Sequence, residues 1–148
     1  MIKALLFDLD NTLYPASSGL DREIDRRMTA FTARYLGIPE KEAHTLRKTD
    51  ARLFGTTLQW LREVYGFHDI EEYIQAVHPP EVSQFIRFDP KLVQMLEELP
   101  FPKAVLTNSP REHAERVLNC LKITDYFNAV FDIRFNSFRG KPYPEAYQ

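Results

Sequence analysis

The chain opens with a nearly unbroken apolar run, Ile2, Ala4, Leu5, Leu6, Phe7 and Leu9. Continuous rather than alternating apolar character suits a central strand of a parallel sheet, buried on both faces. The run gives way at Asp8-Leu9-Asp10-Asn11 to acidic and turn-forming residues. Ligands of α/β sheets bind at the C-terminal ends of strands, so this is a position to watch. From about Leu20 to Phe88 the spacing turns helical. Leu20, Ile24, Met28, Phe31 and Tyr35 recur at steps of three and four and form one amphipathic face, which Gly37 stops. Pro39 suits the first turn of a second helix marked by Ala43, Leu46 and Leu53. Leu58, Leu61 and Val64 or Tyr65 mark a third helix, closed by Gly66. A fourth is capped by Asp69 and runs to about Val77, before Pro79-Pro80.

After Phe88 strands and helices alternate. Leu92, Val93, Leu96 and Leu99 form a helix face, and Lys103 to Leu106 a short strand that ends at Thr107-Asn108-Ser109. Ser109-Pro110-Arg111-Glu112 reads as a helix start, with serine at the cap and proline in the first turn. Ala114, Val117, Leu118 and Leu121 give that helix its buried side, and a further strand is expected at Ala129 to Ile133. Pro144-Glu145 begins another helix. The pattern predicts an α/β fold with a doubly wound parallel sheet over residues 1–18 and 88–148, and an α-helical subdomain inserted over residues 19–87. There are no repeats, low-complexity tracts or evident linkers.

Composition narrows the function classes. Of 148 residues 44% are apolar, enough for a sizeable core. The net charge is −2 with the signs intermixed, and even the cluster Arg22, Arg26 and Arg27 is interleaved with Asp21, Glu23 and Asp25. That argues against nucleic-acid or membrane partners. Cys120 is the only cysteine, which excludes an intramolecular disulfide and suits a reducing cytoplasm. It reads as a small buried apolar residue on its helix. No run approaches the ~20 apolar residues of a membrane span, and Met1 to Phe7 lacks the features of a signal peptide. His44, His68, His78 and His113 show no metal-ligand spacing and receive no role.

Asp8 and Asp10, two apart after a strand, would point to the same side if strand geometry continued through both. Two adjoining acids repel unless a cation or proton offsets them, and a hard cation such as Mg²⁺ prefers such oxygen ligands. Thr107-Asn108 offers a hydroxyl and amide N–H groups to an anion at a second strand end, with a helix N-terminus following. Lys141 adds a fixed positive charge. Each piece has an ordinary alternative: solvated loop acids, a threonine bonded to a nearby carbonyl, a serine that only caps, a surface lysine. Their conjunction at strand ends favours a phosphate site.

Phe7-Asp8-Leu9-Asp10-Asn11-Thr12-Leu13 resembles the DxDxT first motif of the haloacid dehalogenase superfamily. Thr107-Asn108-Ser109 looks like its second motif, Lys141-Pro142 like its third, and the helical insertion sits where that superfamily places a cap. Asp10-Asn11-Thr12-Leu13-Tyr14-Pro15, Phe54-Gly55-Thr56-Thr57-Leu58, and Thr107-Asn108 followed by His113-Ala114 and Arg116-Val117-Leu118 are similar to the pyrimidine 5′-nucleotidase-like branch. The resemblance implies a Mg²⁺-dependent phosphatase in which Asp8 forms an aspartyl-phosphate. Asp10 would protonate the leaving oxygen and then deprotonate water. A carboxylate oxygen of Asp8 and the backbone carbonyl of Asp10 would bind the metal, while Thr107, Asn108 and Lys141 hold phosphoryl oxygens. Asp10 separates the chain from dehalogenases, which lack an acid there. Phe54, Gly55, Thr56, Thr57 and Trp60 are the candidate cap surface for substrate, with a core role as the alternative for the two aromatics.

The superfamily's fourth motif, an acidic cluster, is expected a strand and helix beyond Lys141, so a C-terminal truncation of roughly 60 residues is expected. The lost strand would lie beside the first one, and poor metal affinity and little activity would follow. The substrate expected is a small phosphate monoester, foremost a nucleoside 5′-monophosphate. The alternatives are a phosphatase or phosphomutase acting on sugar phosphates or phosphoglycolate, and a non-catalytic interaction module.

Overall fold

The computed structural model describes residues 1–147. Three short strands, β1 (Leu5–Phe7), β2 (Lys103–Leu106) and β3 (Ala129–Phe131), form one parallel sheet in that order. Leu5, Leu6 and Phe7 pair with Lys103, Ala104 and Val105, and Ala104, Val105 and Leu106 pair with Ala129, Val130 and Phe131. Six α-helices accompany them among the described residues: α1 (Leu20–Leu36), α2 (Glu40–Thr49), α3 (Thr57–Tyr65), α4 (Ile70–Val77), α5 (Pro90–Glu98) and α6 (Arg111–Leu121). The architecture is the parallel α/β, Rossmann-like one that the pattern predicts. The chain divides into two compact units, Met1–Asp21 with Pro80–Asn136, and Arg22–Pro79 with the segment from Ser137 onward.

In the first unit the sheet is backed by α6, whose Val117, Leu118 and Leu121 are at most 2% exposed, as are Leu96, Val105 and Ile123. Each such side chain contributes about 1.5–3 kcal/mol by leaving water. The expectation of a first strand buried on both faces does not hold among the described residues. β1 is an edge strand, only three residues long, and Leu6 on its far face is 54% exposed. β3 is also shorter than expected, because the backbone leaves the ladder at Asp132 to make a turn.

The second unit is helical. Phe31, Trp60, Leu61, Phe67, Tyr73 and Val77 form its core, with ring contacts such as Phe31 to Tyr73 at 5.0 Å and 84°. Helix ends follow the expected chemistry. Thr56 Oγ1 accepts from the Gln59 N–H at the start of α3, Asp69 Oδ1 accepts from the Glu72 N–H at the start of α4, and Gly66 ends α3 in the left-handed region at φ 69°. Leu53, assigned from the pattern to the second helix, lies beyond it. α2 stops at Thr49, and Leu53 falls in a 3₁₀ turn, 76% exposed. The last described turn, Pro144–Tyr147, is likewise 3₁₀. No helix among the described residues is long and apolar enough to cross a membrane.

Candidate active site

Asp8 and Asp10 sit in the loop that leaves β1. The loop turns tightly: the N–H groups of Thr12 and Leu13 both donate to the Leu9 carbonyl, at 3.2 and 2.9 Å, and Asn11 adopts φ 59°. Leu9 itself is fully buried and anchors the loop, while Asp8 stays exposed, its Oδ1 accepting from the Leu9 N–H at 2.8 Å. Asp10 is held differently. Its Oδ1 accepts from the Tyr14 hydroxyl at 2.6 Å and is 2.8 Å from His113 Nε2, and its Oδ2 accepts from the Ser109 hydroxyl at 2.6 Å.

Burial alone would raise the pKa of Asp10, but the hydrogen bond and electrostatic attraction of His113 and the bonds from Ser109 and Tyr14 outweigh it and bring it to about 2. A carboxylate so held is ionised at neutral pH. Burial and the charge of Asp10 push the Tyr14 phenol well above its usual range, so it remains a donor.

The second loop follows β2. The Thr107 N–H donates to the Phe131 carbonyl at 3.0 Å, Thr107 Oγ1 accepts from the Ser109 N–H at 3.0 Å, and the Ser109 carbonyl accepts from the Ile133 N–H at 3.2 Å. These bonds fix the loop to β3 and aim the Ser109 hydroxyl at Asp10. Ser109 is therefore not the helix cap expected from the pattern. Pro110 holds the cap position, and the buried Asp132 accepts from the Arg111 N–H at 3.0 Å in its place. Thr107 is buried and Asn108 half-buried.

The structure thus joins Asp10 to Ser109, Tyr14 and His113. The last two had no assigned role in the sequence reading, although a Tyr four residues after Asp10 and a His on the helix after Thr107-Asn108 are both visible there. Lys141 and the cap candidates belong to the second unit. Phe54 packs partly buried against the aromatic core, Gly55 is exposed, the Thr56 side chain is the α3 cap, and Thr57 Oγ1 accepts from Arg47 Nε at 3.3 Å. Trp60 is 1% exposed in the centre of that core, so it forms no part of an accessible substrate surface; its bulk is used for packing.

The donor set suits a hard cation: the Asp8 carboxylate and the Asp10 carbonyl are oxygens in one loop. The side-chain oxygens of Asp10 face Tyr14, Ser109 and His113. Among the described residues no cluster of three or more His, Cys, Asp or Glu side chains is placed to hold a metal ion.

The family model of haloacid dehalogenase-like hydrolases matches residues 2–148. Phosphate metabolism protein 8 of Saccharomyces cerevisiae is 24% identical over 99% of this chain and 50% of its own length. Validoxylamine A 7′-phosphate phosphatase of Streptomyces hygroscopicus subsp. limoneus is 28% identical over 99% of this chain and 68% of its own. The crystal structure of a HAD phosphatase from Thermococcus onnurineus superposes with a TM-score of 0.58 at 19% identity, over 92% of this chain and 64% of that one. The chain thus spans about half the length of the yeast relative and under two thirds of the archaeal structure. By the family model, and with Asp8 and Asp10 at the end of the first strand of a parallel sheet, this chain belongs to the haloacid dehalogenase-like hydrolases.

Proposed function

We propose that the chain carries the nucleophile and the acid–base group of a magnesium-dependent phosphatase acting on small phosphate monoesters. The observation that carries the reading is the pairing of an exposed Asp8 with an Asp10 held by three hydrogen-bonding side chains. An Asp8 oxygen attacks phosphorus and the ester oxygen departs with a proton passed through Asp10. Asp10 then takes a proton from the water that opens the aspartyl-phosphate, releasing phosphate and restoring Asp8. The ionised carboxylate supports the second half of that cycle; the first half rests on the resemblance. The Thr107 hydroxyl, the Asn108 amide and Lys141 hold the phosphoryl oxygens. Asp8 and the Asp10 carbonyl would hold Mg²⁺, which supplies charge neutralisation at the phosphoryl group.

The helical residues serve as a cap that selects the leaving group, with Gly55 the exposed candidate among the five residues picked for it. The foremost substrate class is nucleoside 5′-monophosphates, on the string from Asp10 to Pro15 and the residues after Thr107. The likeness to validoxylamine A 7′-phosphate phosphatase favours a second reading, an ester outside the nucleotides. Phosphate release from UMP, CMP, sugar phosphates and phosphoglycolate, with and without Mg²⁺, separates them. Measured on the protein expressed from its full reading frame, the highest kcat/KM for UMP or CMP supports the first, for a sugar phosphate the second, and no turnover on any ester contradicts both.

A further inference from the structure

The two oxygens of Asp10 are not equivalent. Among the described residues, Oδ1 meets two buried groups, the Tyr14 hydroxyl at 2.6 Å and His113 Nε2 at 2.8 Å, whereas Oδ2 meets only the Ser109 hydroxyl at 2.6 Å. His113 is 0% exposed and Tyr14 3%. His113 stands on the first turns of α6, whose start is fixed by Asp132 and whose inner face carries the buried Ala114, Val117 and Leu118. Neither ring can follow Asp10 if the carboxylate turns. The Ser109 hydroxyl is different, because it rotates about its Cβ–Oγ bond and both donates and accepts. It can face Oδ2 with or without a proton there.

We propose that His113 is the positioning residue of the acid–base group. Together with Tyr14 it pins Oδ1, so that Oδ2, beside Ser109, is the oxygen that exchanges protons with the leaving group and with water. His113 acts through Asp10 and does not touch substrate. The proposal rests on the reading of Asp10 as the acid–base residue.

A leaving group that needs a proton exposes such a role. An alkyl phosphate departs as an alkoxide unless protonated, whereas 4-nitrophenolate leaves without help. The value of kcat/KM reports the step in which Asp8 takes the phosphoryl group, so it should be measured for both esters in the protein expressed from its full reading frame. General acid catalysis is worth about 10²–10⁴-fold. His113→Phe is expected to lower kcat/KM for the alkyl ester by about 10²-fold and for 4-nitrophenyl phosphate by less than about tenfold. His113→Gln, whose amide N–H reaches the place of Nε2, should recover most of the loss. Equal losses on both esters, or no recovery with Gln, would mean that His113 only supports the fold and would overturn the proposal. Asp10→Asn tells this failure from that of the underlying reading. If it shows the leaving-group dependence and His113→Phe does not, the positioning role alone falls; if Asp10→Asn shows none, both fall.

Discussion

The carboxylate of Asp132, just beyond β3, accepts a hydrogen bond from the Arg111 N–H at 3.0 Å and so caps the helix that carries His113. Its other oxygen accepts from the Phe135 N–H at 3.1 Å, and the side chain is only 4% exposed. One side chain thereby satisfies an otherwise orphaned helix donor and sets the turn that ends the sheet. Asp132→Ala is expected to lower stability by about 1–2 kcal/mol, read as a shift in the urea midpoint at unchanged slope. Asp132→Asn keeps an acceptor and should lose less.

Removal of the Ser109 hydroxyl takes away the one donor to Asp10 Oδ2 among the described residues. A hydrogen bond to a charged group is worth about 1.5–3 kcal/mol, so Ser109→Ala is expected to lower kcat/KM for phosphate release by about tenfold or more. The thermal midpoint should fall by a few degrees as well, because the bond is also part of the fold. Unchanged turnover would show that the contact has no part in the reaction.

Much of this arrangement was legible in the sequence, and the remainder follows from distance along the chain. Helix starts and stops were readable because they are local: Asp69 and Gly66 act on their own helices within a few residues. The strand ending at Leu106 was readable for the same reason, as an apolar run cut short by Thr107-Asn108. What brings Ser109 and His113 to Asp10 is the pairing of β1 with β2 and the placement of α6, across separations of 99 and 103 residues. No local pattern encodes that. Ser109 carried a correct signal for a polar helix start and a wrong one for its partner, since the Pro110 ring and Asp132 displace it from the cap. Leu6 is exposed among the described residues, and an apolar run alone does not say what covers each face of a strand.

The second unit holds a buried guanidinium whose neutralisation depends on pH. Arg47, with its side chain 5% exposed, donates to Asp25 Oδ1 at 3.0 Å, to the Asp25 carbonyl at 2.9 Å and to Thr29 Oγ1 at 2.7 Å. Burial raises the pKa of Asp25, but the bond from Lys48 and the charge of Arg47 outweigh it and leave it below its ordinary value of 3.8. A carboxylate with a lowered folded pKa stabilises the fold above its unfolded value and loses that contribution as pH falls through and below it. Asp25→Asn is thus expected to cost about 1–2 kcal/mol at pH 7 and progressively less below about pH 4. Urea unfolding at the two pH values checks this, and an equal cost at both would contradict it.

Gly55 adopts φ 81°, and a Cβ there would lie 2.9 Å from Cε2 of Tyr143. Backbone strain and the close approach act together, so Gly55→Ala should destabilise by about 1–3 kcal/mol. Combining it with Tyr143→Ala removes the clash but leaves the strain. The double variant should therefore lose less than the sum of the two single changes, as a thermal-unfolding cycle would read.

Phosphate release from a small phosphate monoester in the presence of Mg²⁺, compared between the protein expressed from its full reading frame and the Asp8→Asn variant of it, tests the central assignment most directly. Turnover that needs Mg²⁺ and falls to background in the folded variant is the predicted result. Undiminished turnover by Asp8→Asn would contradict the assignment of Asp8 as the nucleophile.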